Sequence, residues 1–277
     1  MQTLTDQAQP EQVFDLKKQA QIPLGSTETI DGICRGEVLV IQRRSGYRFA
    51  VDAMLLASFA GAPKGRVADL GTGCGIVSLI LASRGVRPIT AVEVQPPLAS
   101  LAMRNVALNR RGEDVEVVGA DLRDLKGKVP GSWFDLVVSN PPYVPLQAGH
   151  VNPGSERAIA RHEVSCTPKD VASAARFLLK DSGSLKVIFP APRVVELMQA
   201  CCEVGLEPRR MRMVHPVPTR PAKLVLFEAV KGKRGSLEIL PPLHLFDAAG
   251  GRSQELVEIL GDDAVDVARD LDSVSGP

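Results

Sequence analysis

The stretch RVADLGTGCGIVSLILASR (66–84) decides the fold of this 277-residue chain. RVADLG (66–71) is a short apolar run bounded by a charge and a glycine, which suits a buried strand. GIVSLILASR (75–84) reads as a helix. Between them lies DLGTGCG (Asp69–Gly75), with glycines at 71, 73 and 75 that let the backbone pass close to a ligand. The helix that follows begins with free N–H groups able to face a polar or anionic group. Strand, glycine loop and helix in this order open a βαβ unit. The dinucleotide fingerprint GxGxxG has its third glycine one residue later, and here an acid precedes the first glycine. That spacing counts against a nicotinamide oxidoreductase.

Downstream the same alternation continues. PITAVEV (88–94) reads as a strand, and PPLASLAMRNVALN (96–109) as a helix with prolines in its first turn, where a missing N–H costs little. VEVVGA (115–120) and FDLVVSN (134–140) are strands, and Pro168 to Lys180 is a helix. GSLKVIFP (183–190) is a strand and Pro192 to Val204 a helix. MRMVHP (211–216) and KLVLFEAV (223–230) read as an antiparallel hairpin. Strands alternating with helices imply a parallel sheet covered on both faces. Upstream, ICRGEVLVIQ (33–42) is rich in β-branched residues and reads as a strand or hairpin, followed by a helix over AVDAMLLASFAG (50–61) that stops at Gly61. The organisation expected is a tail over 1–27 with a short helix near Val13 to Leu16, a hairpin and helix over 28–64, a core over 65–235, and an extension over 236–277.

Composition excludes several classes. Five cysteines (Cys34, Cys74, Cys166, Cys201, Cys202) form an odd set without CxxC spacing, and four histidines are scattered. This argues against a zinc site and a disulfide framework, and fits a reducing cytoplasm. No apolar run is long enough to span a membrane, and the first 24 residues lack the apolar segment of a secretion signal. The formal net charge of +1 names no partner.

Three strand ends carry polar residues suited to one ligand. Besides the glycine loop, Glu93 ends the strand in AVEV, where a carboxylate can accept from both hydroxyls of a ribose. Asp121 follows the next strand in GADLRD, in position to meet an adenine amino group. Glycines also make plain tight turns and acids also cap helices. The concurrence of all three at successive strand ends favours an adenosine ligand in one crevice.

The fourth strand ends in SNPPYV (139–144). The side-chain oxygen of Asn140 and the carbonyl of Pro141 can accept from the two N–H bonds of a planar amine or amide. Pro141 and Pro142 fix φ, so these acceptors need little reorganisation. Tyr143 offers a face for stacking, which for a base contributes ~1–3 kcal/mol. An Asn-Pro turn after a strand is the plainer alternative.

In order and spacing, DLGTGCG, AVEV, GADLRD and NPPY resemble the class I S-adenosylmethionine-dependent methyltransferases that modify exocyclic or amide nitrogens. GYRFAVDAMLLASFA (46–60), ARHE (160–163) and ILPPLHLFDAAGGRSQELVEIL (239–260) are similar to the bacterial tRNA(Val) adenine-N6 methyltransferase family. The resemblance implies an α/β fold with a seven-stranded Rossmann-like sheet, its last strand antiparallel, and helices on both faces. It also implies S-adenosylmethionine held by Asp69, Gly71, Thr72, Gly73, Cys74, Gly75, Glu93, Val94, Asp121, Leu122 and Asn140. The catalytic corner would be Asn140, Pro141, Pro142 and Tyr143. Tyr47, Arg48 and Asp52 would help close the cofactor pocket, and His162 and Glu163 would follow the active-site loop. No metal is implied.

Charge layout bears on the substrate. From Pro208 to Arg234 basic residues dominate, and from Asp247 to Asp272 acidic ones do. Arg43, Arg44, Arg209, Arg210, Arg212, Arg220, Lys231, Lys233 and Arg234 are the candidate contacts to RNA phosphates, with a solvated surface as the alternative. The expected activity is methyl transfer to adenine N6 in RNA, with tRNA as the partner. A protein glutamine amide or an rRNA guanine N2 are alternative acceptors, and a cofactor-binding RNA module without catalysis is the non-enzymatic reading. Monomer and homodimer both stay open.

Overall fold

The computed structural model describes residues 24–43, 51–142 and 166–260. Tyr47, Arg48, Arg44, Tyr143, His162, Glu163 and the helix expected near Val13 to Leu16 lie outside the described residues. So does the side chain of Arg43.

A hairpin comes first: β1 (Glu28–Ile33) and β2 (Val38–Arg43) pair antiparallel, with Ile33 opposite Val38. Cys34, Arg35 and Gly36 turn the chain at positive φ. Helix α1 (Val51–Ala60) follows and ends where Gly61, at φ +72°, donates back to Ala57 O. Eight of its ten residues are buried. An all-round apolar helix of this kind belongs inside a core rather than on a surface.

The alternating region forms β3 (Val67–Leu70), α2 (Ile76–Ser83), β4 (Ile89–Glu93), α3 (Pro96–Leu108), β5 (Val115–Gly119) and β6 (Phe134–Ser139). Next come α4 (Pro168–Leu178), β7 (Leu179–Pro190), α5 (Val194–Glu203), β8 (Leu206–His215) and β9 (Leu224–Lys231). Helix α4 opens with a capping box: Thr167 accepts from Asp170 N while Asp170 accepts from Thr167 N, and Pro168 takes the first turn.

Several boundaries differ from expectation, among them β7, which starts at Leu179 rather than Gly183. Helix α4 stops at Leu178 rather than Lys180, because Leu179 is already extended (ψ 135°) and pairs with Phe134. Strand β8 starts at Leu206 rather than Met211, because β9 pairs along it down to Lys231 despite its polar sequence.

With β10 (Glu238–Ile239) at one edge, the strand order is β10-β8-β9-β7-β6-β3-β4-β5. β3 to β7 run parallel, β8 shares their direction, and β9 is antiparallel to both its neighbours. Two additions lie beyond the seven strands expected. β10 (Glu238–Ile239) and β11 (Leu243–His244) lie parallel against β8, and α6 (Gln254–Leu260) closes the described chain. Two-residue strands carry no periodicity to read, yet they cover an edge that would otherwise expose unpaired N–H and C=O groups.

Successive strand residues feed opposite cores. Val67, Leu136 and Val138 join one cluster, with α1, α2, α3 and the hairpin. Ala68, Leu70 and Val137 join the other, with α4 and α5. From β3 the chain moves outward through β4 to β5, then crosses back so that β6 flanks β3 on the other side. This reversal between β3 and β6 opens a crevice at their carboxyl ends. No helix among the described residues is long and apolar enough to cross a membrane.

Candidate functional site

The glycine loop leaves β3 on the crevice edge and is held from below. Gly71 and Thr72 both donate from N–H to Val92 O (2.9 and 3.0 Å). Gly71, Gly73 and Gly75 sit at φ +70°, +60° and +86°, where only glycine is unstrained. A Cβ at Gly71 would meet nothing within 4 Å, so open space borders the loop there. At Gly75 it would press on Ala102 at 3.4 Å, because α3 crosses close behind.

Asp69, expected among the cofactor contacts, is tied into the loop itself. It is 1% exposed, and its Oδ2 accepts from Thr72 Oγ1 and Ser78 Oγ, both at 2.7 Å. Burial pushes its carboxyl above the ordinary range, while the two hydroxyls pull it back down. Asp69 thus braces the loop from inside. Cys74 is also buried, and burial pushes its thiol up to about 12. It packs as a neutral apolar group.

Glu93 links the loop to the second strand. Its Oε2 accepts from Gly73 N and its Oε1 from Gln95 N, both at 2.9 Å. Each oxygen keeps a second lone pair, so the carboxylate can accept further hydroxyl donors. Val94, next along, is one of the few large apolar side chains left substantially exposed (40%), and Leu122 is half-buried. Asp121 is gripped by Arg123, whose Nη2 reaches Oδ2 at 2.6 Å and whose N–H reaches Oδ1 at 2.8 Å. The guanidinium beside it is the largest influence holding the Asp121 carboxyl below the usual range, so it stays an ionised acceptor.

The corner after β6 is set beside the loop by a residue that sequence reasoning did not single out. Ser139 pairs in register with Leu70 and is fully buried, and its Oγ donates to Leu70 O at 2.9 Å. The last residue of β6 is thereby tied to the last residue of β3. Asn140 follows half-buried, Pro141 buried and Pro142 exposed. A lone hydroxyl ending an otherwise apolar run was the available signal. Asp52, expected near the pocket, is buried in the first turn of α1.

The basic hairpin proves to be largely engaged within the molecule. Lys231 is a correction to the expected phosphate contacts: it is 4% exposed and its Nζ donates to Leu179 O inside the protein. Arg210 lies between Glu228 (3.4 Å) and Glu238 (3.6 Å). Arg212 meets Glu255 with two bonds of 2.6 and 2.8 Å and donates to Pro241 O. Arg209 donates to Arg234 O at 3.1 Å. The basic strand and the acidic stretch are therefore joined through Arg212 and Glu255. Because β9 runs against β7, Lys233 and Arg234 leave the sheet on the edge away from the crevice. Arg220, on the β8–β9 connection, is exposed on the crevice edge.

Among the described residues no group of His, Cys, Asp and Glu could hold a metal ion. An open glycine cradle, a carboxylate with spare acceptor capacity and an exposed apolar face suit a purine nucleoside with a ribose diol.

Comparison with known proteins agrees with this geometry. The family model described as "Methyltransferase small domain" matches residues 50–190. A curated tRNA1(Val) (adenine(37)-N6)-methyltransferase from Phocaeicola vulgatus is 31% identical over 188 residues, covering 68% of this chain and 78% of the relative. The protein of the same name from Trichodesmium erythraeum is 31% identical over 198 residues, covering 69% and 81%. Among solved structures, a protein described as a predicted O-methyltransferase from Agrobacterium tumefaciens aligns with TM-score 0.60 and 25% identity, over 75% of this chain and 94% of that one. P. horikoshii TYW2 in complex with MeSAdo aligns with TM-score 0.54 at 16% identity, over 76% and 73%, a likeness of fold. With the crevice at the β3–β6 reversal and a family match spanning the loop, the corner and β7, the chain belongs to the methyltransferase small domain family.

Proposed function

We propose that this chain is an S-adenosylmethionine-dependent methyltransferase acting on the exocyclic N6 of an adenine in RNA, with tRNA as the substrate class. The observation that carries the reading is the Ser139 tie, which sets the Asn140–Pro142 corner against the end of β3 and so beside the glycine loop. The curated relatives named as tRNA1(Val) (adenine(37)-N6)-methyltransferases support the same acceptor.

The bound cofactor supplies a methyl group on a sulfonium, an electrophile that needs no further activation. Gly71, Gly73 and Gly75 would let the main chain lie against it, Glu93 would accept from its ribose, and Val94 and Leu122 would flank its purine. Thr72 and Cys74 would contribute main chain, and Asp121 would accept from its exocyclic amine. The target nitrogen is a poor nucleophile because its lone pair is delocalised into the ring. Asn140 Oδ1 and Pro141 O would hold its two N–H bonds and turn the lone pair toward the cofactor, a gain of orientation rather than of basicity. No strong base is required, since the nitrogen becomes acidic as it gains the methyl group. Tyr143 would stack on the swung-out base, as recognition of RNA loops requires. Asp52, with Tyr47 and Arg48, would close the cofactor side.

Of the candidate RNA contacts, exposed Arg220 is the one best supported, since it shares the crevice edge. The test is mass spectrometry of nucleosides from tRNA of cells lacking the gene. Loss of N6-methyladenosine, restored by the wild-type chain but not by Asn140→Ala, is the expected result. Unchanged N6-methyladenosine overturns the reading.

A further inference from the structure

One of the buried side chains that contact the glycine loop has no part in the proposed reaction and reaches the loop from another element. Asn105 on α3 is fully buried. Its Nδ2 donates to Cys74 O in the loop at 2.9 Å and to Ile41 O in β2 at 3.2 Å, and its Oδ1 accepts from Ile41 N at 2.7 Å. Both amide hydrogens and the oxygen are therefore used, with no water-facing side. Rotating the carboxamide would leave buried groups unpaired.

One turn along α3, Asn109 makes the same two-point contact with β2. Its Oδ1 accepts from Leu39 N at 2.8 Å, and its Nδ2 donates to Leu39 O at 2.7 Å and to Asn105 O at 2.8 Å. Alternate residues of a strand point their N–H and C=O groups to one side, so Leu39 and Ile41 present the edge of β2 that β1 leaves uncovered. Two asparagines at i and i+4 pair with that edge as a neighbouring strand would. Arg104, beside them, grips Glu28 of β1 through two bonds of 2.8 and 2.7 Å. The hairpin is thus docked on α3 by polar contacts as well as through the shared apolar core, and of these three side chains Asn105 is the one that also bonds to the loop.

The preceding residue of the loop is held by Glu93, which accepts from Gly73 N. Glu93 and Asn105 thus hold successive residues of the Gly73–Gly75 stretch, and Ala102 packs against Gly75.

We propose that Asn105 is a positioning residue for the cofactor loop, making the loop's binding-competent shape conditional on the docked N-terminal hairpin. The inference rests on reading this loop as the S-adenosylmethionine site. Asn109 supplies an internal comparison, since it pins the same strand and does not touch the loop.

The test uses the full chain and calorimetric titration with S-adenosylmethionine, at a temperature where circular dichroism shows every variant folded. Asn105→Ala removes the contact. Asn105→Asp keeps the shape and the acceptor for Ile41 N, but turns a carboxylate oxygen toward Cys74 O. Both should weaken cofactor binding by about tenfold or more, whereas Asn109→Ala should change it by about twofold or less. Hydrogen exchange on the wild-type chain gives a second readout that needs no variant. Added S-adenosylmethionine should slow the Ile41 amide, held by Asn105, more than the Leu39 amide, held by Asn109. Asn105 variants that lose no more affinity than Asn109→Ala would overturn the proposal. So would Ile41 and Leu39 amides that respond alike while the loop amides become protected. A wild-type chain that fails to bind S-adenosylmethionine removes the underlying reading, and this inference with it.

Discussion

Ser139→Ala isolates the tie between the two strands that form the crevice. The substitution removes one hydrogen bond of 2.9 Å between fully buried groups and leaves Leu70 O short of a partner. A lost hydrogen bond with a buried acceptor left behind costs about 1–3 kcal/mol. In a chain of this size each kcal/mol lowers Tm by about 2–4 °C, so the variant should melt about 2–12 °C lower. The β3–β6 ladder itself is main chain and stays. What changes is the seating of Asn140, immediately after Ser139, against the end of β3. If about 1.4 kcal/mol of that tie is felt in the transition state, kcat falls about tenfold. Cofactor affinity should barely move, because the loop keeps its bonds to Val92, Glu93 and Asn105. The assay is single-turnover methyl transfer to tRNA alongside calorimetric binding of S-adenosylmethionine, both well below the melting transition. A variant with full kcat, or one whose loss lies wholly in cofactor affinity, would falsify the role given to Ser139.

The other predictions concern the corner, the loop and the RNA face. Asn140→Ala should still bind S-adenosylmethionine but turn over more slowly by more than about tenfold, as for loss of an oriented acceptor; normal turnover would contradict its assignment. Asp69, raised by burial above its ordinary value of 3.8, binds its proton more tightly in the native state than in the unfolded chain. Its contribution to stability is therefore full below that value and is lost as pH rises through the folded pKa. The Tm of the wild type relative to Asp69→Asn should accordingly fall with rising pH in that window, and a difference independent of pH would contradict the assignment. Arg220→Glu should weaken tRNA binding and lower the salt slope by about one unit or more. The pair Lys233→Glu with Arg234→Glu, on the opposite edge, should leave both nearly unchanged, and the reverse pattern would move the RNA face to that edge.

Much of this architecture was legible in the sequence because it is written in local periodicity. RVADLG, PITAVEV and FDLVVSN are apolar runs of strand length, and each lies within a residue or two of its strand. The glycine loop was legible because three glycines in five residues have few other uses. Asn105 was hidden because its partners lie 64 and 31 residues away. It did leave a trace: Leu98, Leu101, Ala102, Asn105, Val106 and Asn109 share one helical stripe, and a polar residue in such a stripe needs a buried partner. Ser139 left a fainter trace, since a serine can end a strand for many reasons. The charge layout misled because sign and count along a chain do not reveal which charges meet. Arg210 and Arg212 find Glu238 and Glu255 across the β8 edge only once the extension folds back.

The central claim is that the corner after β6 holds an adenine amine against the cofactor at the β3–β6 crevice. Its most direct test is incubation of the purified chain with tRNA and S-adenosylmethionine labelled in the methyl group, followed by digestion to nucleosides. Label in N6-methyladenosine, lost with Asn140→Ala while cofactor binding persists, is the result expected. Label in N2-methylguanosine or on a protein glutamine, or no transfer by a chain that binds the cofactor, would contradict the claim.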